Sequence, residues 1–304
     1  MLDETHLERF DVIDPDHGAL PAVAIAPRSE RPLPICLFLY GGGGSAETLL
    51  AIEPLLAGAW RDASLAPLCV ACLGVPPFCF YLDDPARGAF WQRAVASGLL
   101  DTLRRRFADR VSAARAGLVG VSMGGYGALK IAFDEPARFA SVAVVAPMLE
   151  PAEHAGDVPL RNRFHYPPQV PPALLGSARD PELFHHDHPI ARARRGADVI
   201  RASGLAIWID AGSRDALNAH DGAEALHRAL WELDLPHEYH LYRDADHVGP
   251  SLAPRLLQAF RWVAGAGAAH APSAEELALR EQLAPLRTAA LAVDPSVART
   301  YGRL

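Results

Sequence analysis

Short apolar runs recur along the chain and alternate with stretches of helical periodicity. Ile35-Cys36-Leu37-Phe38-Leu39, Leu68-Cys69-Val70-Ala71-Cys72-Leu73, Ala116 to Val121, Ser141 to Val145 and Leu205 to Ile209 have the length and content of buried strands. His237 to Tyr242 alternates in the manner of another strand. Between them, Gly125 to Phe133 and Leu252 to Val263 read as helices, and Arg104-Arg105-Arg106 falls on the solvated face of an amphipathic one. Strands and helices that alternate in this way predict an α/β fold with a mostly parallel central sheet flanked by helices.

Two stretches depart from the alternation. Residues 148–204, rich in Pro, His and Arg, are expected to form a cap over one edge of the sheet, with Pro167-Pro168 and Pro171-Pro172 disfavouring regular helix locally. After the helix that ends near Val263, Ala264 to Pro272 is a small-residue linker. Ser273 then supplies an N-cap and Glu275-Glu276 an acidic first turn, which predicts a helix to about Leu286 and a second short helix beyond it. The expected organisation is one α/β domain over 1–264, carrying the insertion 148–204, and a helical C-terminal extension over 265–304.

Half of the 304 residues are hydrophobic and 21% are charged, enough for a substantial core. A formal charge of −7 argues against a nucleic acid or an anionic membrane as partner. Met1 to Glu8 has neither a positive nor an apolar region of the secretory kind, and no run approaches the roughly 18 apolar residues of a membrane span. Cys36, Cys69, Cys72 and Cys79 lie in or beside apolar strands, where strand alternation points Cys69 and Cys72 to opposite faces. Core packing of reduced thiols, and a cytoplasmic location, are the expectation.

Candidate chemistry centres on Gly120-Val121-Ser122-Met123-Gly124, a G-x-S-x-G pentapeptide set between the strand 116–121 and the helix that follows. A serine on such a strand-to-helix turn sits in a strained backbone conformation, and glycines two before and two after it give the clearance that turn needs. A nucleophilic serine needs a base, and the base an orienting acid, and on parallel sheets both arrive on loops at strand C-termini. His247, in the loop after 237–242, is the candidate base. Asp215, after the strand 205–209, is the candidate acid, with Asp210, Asp244 and Asp246 as rivals because each also borders a strand end. Charge that builds on a carbonyl oxygen under attack needs N–H donors already aimed at it. Met123, at the start of the helix, and Gly42, in the run Tyr40-Gly41-Gly42-Gly43-Gly44-Ser45, are the candidates. That run lacks the G-x-G-x-x-G context or the Lys-Ser/Thr ending of a phosphate loop.

Tyr40 to Ser45, Gly120 to Leu129, Gly212-Ser213-Arg214-Asp215 and Asp246-His247-Val248-Gly249-Pro250-Ser251 together resemble the esterase D-type family of the α/β-hydrolase superfamily. That group includes S-formylglutathione hydrolases, tributyrin esterases, feruloyl esterases and mycolyltransferase-like enzymes. Phe80-Tyr81-Leu82-Asp83 is similar to its Phe/Trp-Tyr-x-Asp element, and the likeness spans roughly residues 10 to 264. It implies an α/β-hydrolase fold, a Ser122, Asp215, His247 triad, an oxyanion hole of Gly42 and Met123, and carboxylic ester hydrolysis. One departure is Tyr40-Gly41, where many members have His-Gly, which bears on the side chain that braces the glycine loop.

Tyr40, Gly43, Tyr81, Trp91, Phe164 and Tyr166 are candidate pocket residues, and Leu174, Leu175 and Phe184 stand beside them as either an apolar wall or the core of the cap. His185-His186-Asp187-His188 has metal-ligating side chains but no second ligand set at zinc spacing, so no metal and no cofactor are expected. The expected partner is a small-molecule ester, with self-association through 265–304 open. The expected activity is that of a serine carboxylesterase. Acyl transfer by the same residues, or a catalytically silent binding module on the same fold, are the alternatives.

Overall fold

In the computed structural model, residues 5–163, 180–265 and 273–293 are described. Strands β1 (Thr5–Asp14) and β2 (Gly18–Pro27) form a hairpin whose turn is closed by Asp14, its Oδ1 accepting from the N–H groups of Asp16 and His17 at 3.0 Å each. Then come β3 (Ile35–Leu39), helix α1 (Thr48–Arg61) and β4 (Cys69–Leu73). A two-residue ladder pairs β5 (Asp83–Asp84) with β6 (Ala89–Phe90). It leads into α2 (Trp91–Arg93), which runs through a π-helical turn, Ala94–Leu99, into α3 (Leu100–Arg106). Strand β7 (Ala116–Val121), helix α4 (Met123–Asp134) and β8 (Phe139–Val145) follow.

The rest of the chain holds α5 (Leu160–Arg163), α6 (Pro181–Asp187), α7 (Pro189–Ser203), β9 (Ala206–Gly212), α8 (Ala219–Glu232), β10 (Glu238–Tyr242), α9 (Leu252–Gly265) and α10 (Ala274–Val293). Eight strands make one sheet in the order β1-β2-β4-β3-β7-β8-β9-β10. β2 pairs antiparallel with both neighbours, and every contact from β4 through to β10 is parallel. The expected mixed α/β architecture is therefore the observed one. Every residue of β3 and β4 is buried, as strands covered by helices on both faces must be. α1 and α9 cover one face, while α4, α7 and α8 pack side by side on the other.

Two expectations on organisation change. The insertion 148–204 was expected as a cap, but α7 packs against α4 and α8, with Ile190, Ala193 and Ile200 inside the main core. It is the crossover helix between β8 and β9, which a parallel pair requires. Within the described residues, the C-terminal extension holds one continuous helix, Ala274–Val293, which runs past the end expected near Leu286. It opens on a reciprocal capping box, in which Ser273 Oγ accepts from Glu276 N–H at 3.1 Å and Glu276 Oε2 accepts from Ser273 N–H at 2.6 Å. Among the described residues no helix is long and apolar enough to cross a membrane.

Candidate active site

The parallel register brings the C-terminal ends of β3, β7, β8, β9 and β10 to one edge of the sheet. At the end of β7 the chain turns within one residue: Ser122 has φ 55° and ψ −119°, and α4 begins at Met123. A side-chain-bearing residue in the positive-φ region is strained, and the elbow is held in it from both sides. Ser122 N–H donates to Val145 C=O (3.0 Å), and its own C=O accepts from Gly125 N–H (2.9 Å) and Met148 N–H (3.0 Å). The glycines on either side are required by contact. A Cβ on Gly120 would lie 2.2 Å from the Gly124 carbonyl oxygen, and one on Gly124 would lie 1.9 Å from that of Leu39.

His247 reaches this serine from the loop after β10, its Nε2 2.8 Å from Ser122 Oγ, and its Nδ1 lies 2.8 Å from Asp215 Oδ2. Asp215 and His247 are only 3% and 6% exposed, so water does not compete for these bonds. The other Asp215 oxygen accepts from Leu217 N–H at 2.9 Å, which fixes the carboxylate plane. An ionised carboxylate only accepts, so Nδ1 carries the imidazole proton and Nε2 is left to accept from the serine hydroxyl.

The three rival aspartates have other partners. Asp210 lies within β9 rather than in the loop after it, fully buried, and is held by Arg255 through Nε (2.9 Å) and Nη2. Burial pushes its carboxyl above the usual range despite the guanidinium beside it. Asp246 accepts from Ala216 N–H and His247 N–H, which orients the His247 backbone, and its C=O accepts from Arg255 Nη1 at 2.8 Å. Asp244 pairs with Arg214 at 2.9 Å on the surface.

Two backbone donors lie at the same edge. Met123 N–H heads α4, where the helix dipole favours negative charge, and Gly42 N–H lies in the glycine loop after β3. Neither has an acceptor among the described residues. The loop is a turn closed by Gly44 N–H donating to Gly41 C=O (3.2 Å), with Gly43 at φ +78°, the third-position geometry that a type II turn demands of glycine. Because the Gly41 C=O and the Gly42 N–H belong to one trans peptide, drawing the carbonyl into the turn aims the N–H the opposite way.

The candidate pocket residues divide. Tyr40 is fully buried, its hydroxyl donating to Val75 C=O and accepting from Val75 N–H at 2.7 Å each, so it braces the loop from below rather than lining a pocket. Burial pushes its phenol well up. Tyr81, 1% exposed, lies with its ring over Gly127 and is likewise interior. Trp91 stacks on His17 of the β1–β2 turn, with ring centroids 3.8 Å apart. Phe184 is buried, and Phe164, Tyr166, Leu174 and Leu175 lie outside the described residues.

Phe78 escaped the sequence reading. A Cβ on Gly42 would stand 2.6 Å from its ring, so the ring lies directly on that glycine, and no local motif signals a contact across 36 positions.

In the run 185–188 the side chains diverge. Asp187 is buried against Lys130 (2.7 Å) and Arg192 (2.6 Å), and burial, which alone would raise its carboxyl, is outweighed by those two charges. His188 caps α7 by accepting from Ile190 N–H at 3.3 Å, and its Nε2 bonds Glu150 C=O at 3.1 Å. His186 is exposed, and His185 stacks on His154. All four cysteines are free and buried, and burial pushes the Cys69 and Cys79 thiols up to about 12. A separate cavity of about 230 Å³, lined by Ile25, Phe107 and Arg110 among others, contains none of the residues around Ser122.

Three solved structures share this fold over most of their length. A ferulic acid esterase superimposes with a TM-score of 0.69 at 15% identity, covering 87% of this chain and 99% of its own. S-formylglutathione hydrolase from Staphylococcus aureus gives 0.68 at 17% identity, covering 86% and 99%. The fluorophosphonate-binding serine hydrolase F of the same organism gives 0.66 at 16%, covering 86% and 98%. At such identities the likeness establishes the α/β-hydrolase fold. Among curated protein sequences none matches the chain. Residues 83–263, more than half of the chain and inclusive of the elbow, Asp215 and His247, match the sequence pattern of the family described as "Putative esterase", and the protein belongs to that family of α/β-hydrolase enzymes.

Proposed function

We propose that this hydrolase is a serine carboxylesterase acting through Ser122, His247 and Asp215. Ser122 Oγ attacks the ester carbonyl carbon while His247 Nε2 takes the hydroxyl proton, and Asp215 stabilises the imidazolium and holds its tautomer. The N–H groups of Met123 and Gly42 receive the oxyanion. Collapse breaks the bond to the alcohol, which leaves with the proton from His247, and an acyl-serine remains. Water, deprotonated by the same Nε2, attacks that acyl group, and the carboxylic acid departs as the proton returns to Ser122. No metal or cofactor enters the scheme.

The observation that carries the reading is the unbroken chain of 2.8 Å contacts from Asp215 through His247 to a serine held at positive φ. The free thiols suit a reducing, cytoplasmic setting.

The test compares the wild type with Ser122→Ala on p-nitrophenyl acetate, butyrate and octanoate, together with fluorophosphonate labelling. Turnover and labelling that both vanish in the variant support the proposal. A wild type that neither turns over these esters nor is labelled would sink it.

A further inference from the structure

A strained aromatic segment lies against the glycine loop. Phe78, Phe80 and Tyr81 adopt φ values of 57°, 50° and 52°, three non-glycine residues at positive φ within four positions. Such conformations persist only where the surroundings over-determine them, and they gather at functional sites.

Here the surroundings are specific. Lys130, fully buried on the elbow helix eight residues after Ser122, donates from Nζ to Tyr81 C=O at 3.3 Å. Its charge is met by Asp187, which Arg192 also pairs, and Arg192 in turn donates to Gln92 Oε1 at 3.0 Å. The Tyr81 backbone is thus tied to α2, α4, α6 and α7. On its other side, the Tyr81 hydroxyl donates to Tyr40 C=O at 3.3 Å, in the peptide that opens the glycine loop. Three residues earlier the Phe78 ring rests on Gly42. One segment therefore touches the glycine loop at two points, the carbonyl two residues before Gly42 and Gly42 itself.

We infer that Tyr81 and Phe78 are positioning residues for the oxyanion, setting the direction of the Gly42 N–H through the Tyr81 hydroxyl bond to Tyr40 C=O and the seat of the Phe78 ring on Gly42. Four glycines in a row have little stiffness of their own. A donor that must be in place before charge develops has to be held by its neighbours, since reorganisation during the reaction forfeits the advantage. The turn through Gly44 orients the Gly41–Gly42 peptide within the loop, and the aromatic segment orients the loop against Ser122. Lys130 couples that setting to the helix that carries Met123, so the two donors keep their spacing. This inference rests on the serine-esterase reading above.

The experiment measures kcat and KM for p-nitrophenyl butyrate, and Ki for an alkyl trifluoromethyl ketone that forms a tetrahedral adduct on Ser122, in the wild type, Tyr81→Phe and Phe78→Leu. Complete loss of an oxyanion donor costs about 10²–10³ in kcat, so a misaimed donor is expected to cost roughly tenfold. The expected result is a kcat about tenfold lower with KM within about twofold, and Ki raised by the same factor as kcat falls. A purely structural role would lower the melting temperature or the active fraction, counted by fluorophosphonate titration, without moving Ki per active site. Should Tyr81→Phe not fold, Phe78→Leu carries the test alone. Values of kcat and Ki per active site within twofold of wild type overturn the inference while leaving the esterase reading intact. A wild type without esterase activity or Ser122 labelling overturns both.

Discussion

Asp210 and Asp215, five residues apart in sequence, are expected to give opposite phenotypes when each is replaced by asparagine. Asp215→Asn keeps an acceptor for Leu217 N–H but places an amide against His247 Nδ1. If that amide donates, Nδ1 loses its proton, Nε2 gains one, and the imidazole can no longer accept from Ser122. Loss of the correct tautomer costs about three to four decades in kcat, or roughly 4–5.5 kcal/mol of transition-state stabilisation. Stability should change by no more than about 1–1.5 kcal/mol, the worth of one hydrogen bond. Asp210→Asn acts elsewhere. It leaves the Arg255 guanidinium, 2% exposed, without its counter-charge, and breaking such a buried pair costs about 3–5 kcal/mol. At about 2–4 °C per kcal/mol, the melting temperature should fall by roughly 10 °C. Activity of the folded fraction should drop by less than about tenfold, through the weaker Arg255 hold on Asp246 C=O. The assay is kcat for p-nitrophenyl butyrate per fluorophosphonate-titrated site, beside thermal unfolding. Asp215→Asn that retains more than a tenth of wild-type kcat would refute the acid assignment, as would Asp210→Asn that abolishes turnover without loss of stability.

Gly124→Ala should inactivate the enzyme by at least about 10²-fold, because its Cβ would stand 1.9 Å from the Leu39 carbonyl oxygen and displace the elbow by the ångström or so that costs that factor. Steady-state kinetics on a folded variant checks this, and near-wild-type turnover would contradict the packing argument. Burial lowers the fully buried His188 to about 3, so the folded state refuses a proton that the unfolded chain accepts below its ordinary value of 6.5. Stability from this group is complete above pH 6.5 and is lost as pH falls from there towards 3, about 2 kcal/mol of it by pH 5. His188→Asn keeps an N-cap acceptor for Ile190 without titrating, so its urea midpoint should fall less between pH 7 and pH 5 than that of the wild type, and equal slopes would refute the assignment.

Features that rest on neighbours in the chain were legible before any packing was known. Continuous apolar runs specified the buried strands β3, β4 and β7, because a strand covered on both faces has no room for polar side chains. The G-x-S-x-G spacing located the elbow, since clearance around a one-residue turn falls on fixed positions either side of the serine. Ser273 and Glu276 announced the start of α10 through a cap four residues long. Register and contacts between distant segments emerged only with the packed fold. The strand signal at 205–209 ran on to Gly212, which drew Asp210 into the sheet and onto Arg255 and left Asp215 to meet His247. Tyr40 and Tyr81 proved interior braces rather than pocket walls, because only the packed fold shows which face of a loop points outwards. The Pro- and Arg-rich stretch hid a core helix, α7, whose apolar stripe of Ile190, Ala193 and Ile200 is thin and set among four arginines, one of which, Arg192, is buried by pairing with Asp187. Phe78 came to rest on Gly42 for the same reason: a long-range contact is selected by the shape of the whole core, and no periodicity in the intervening residues records it.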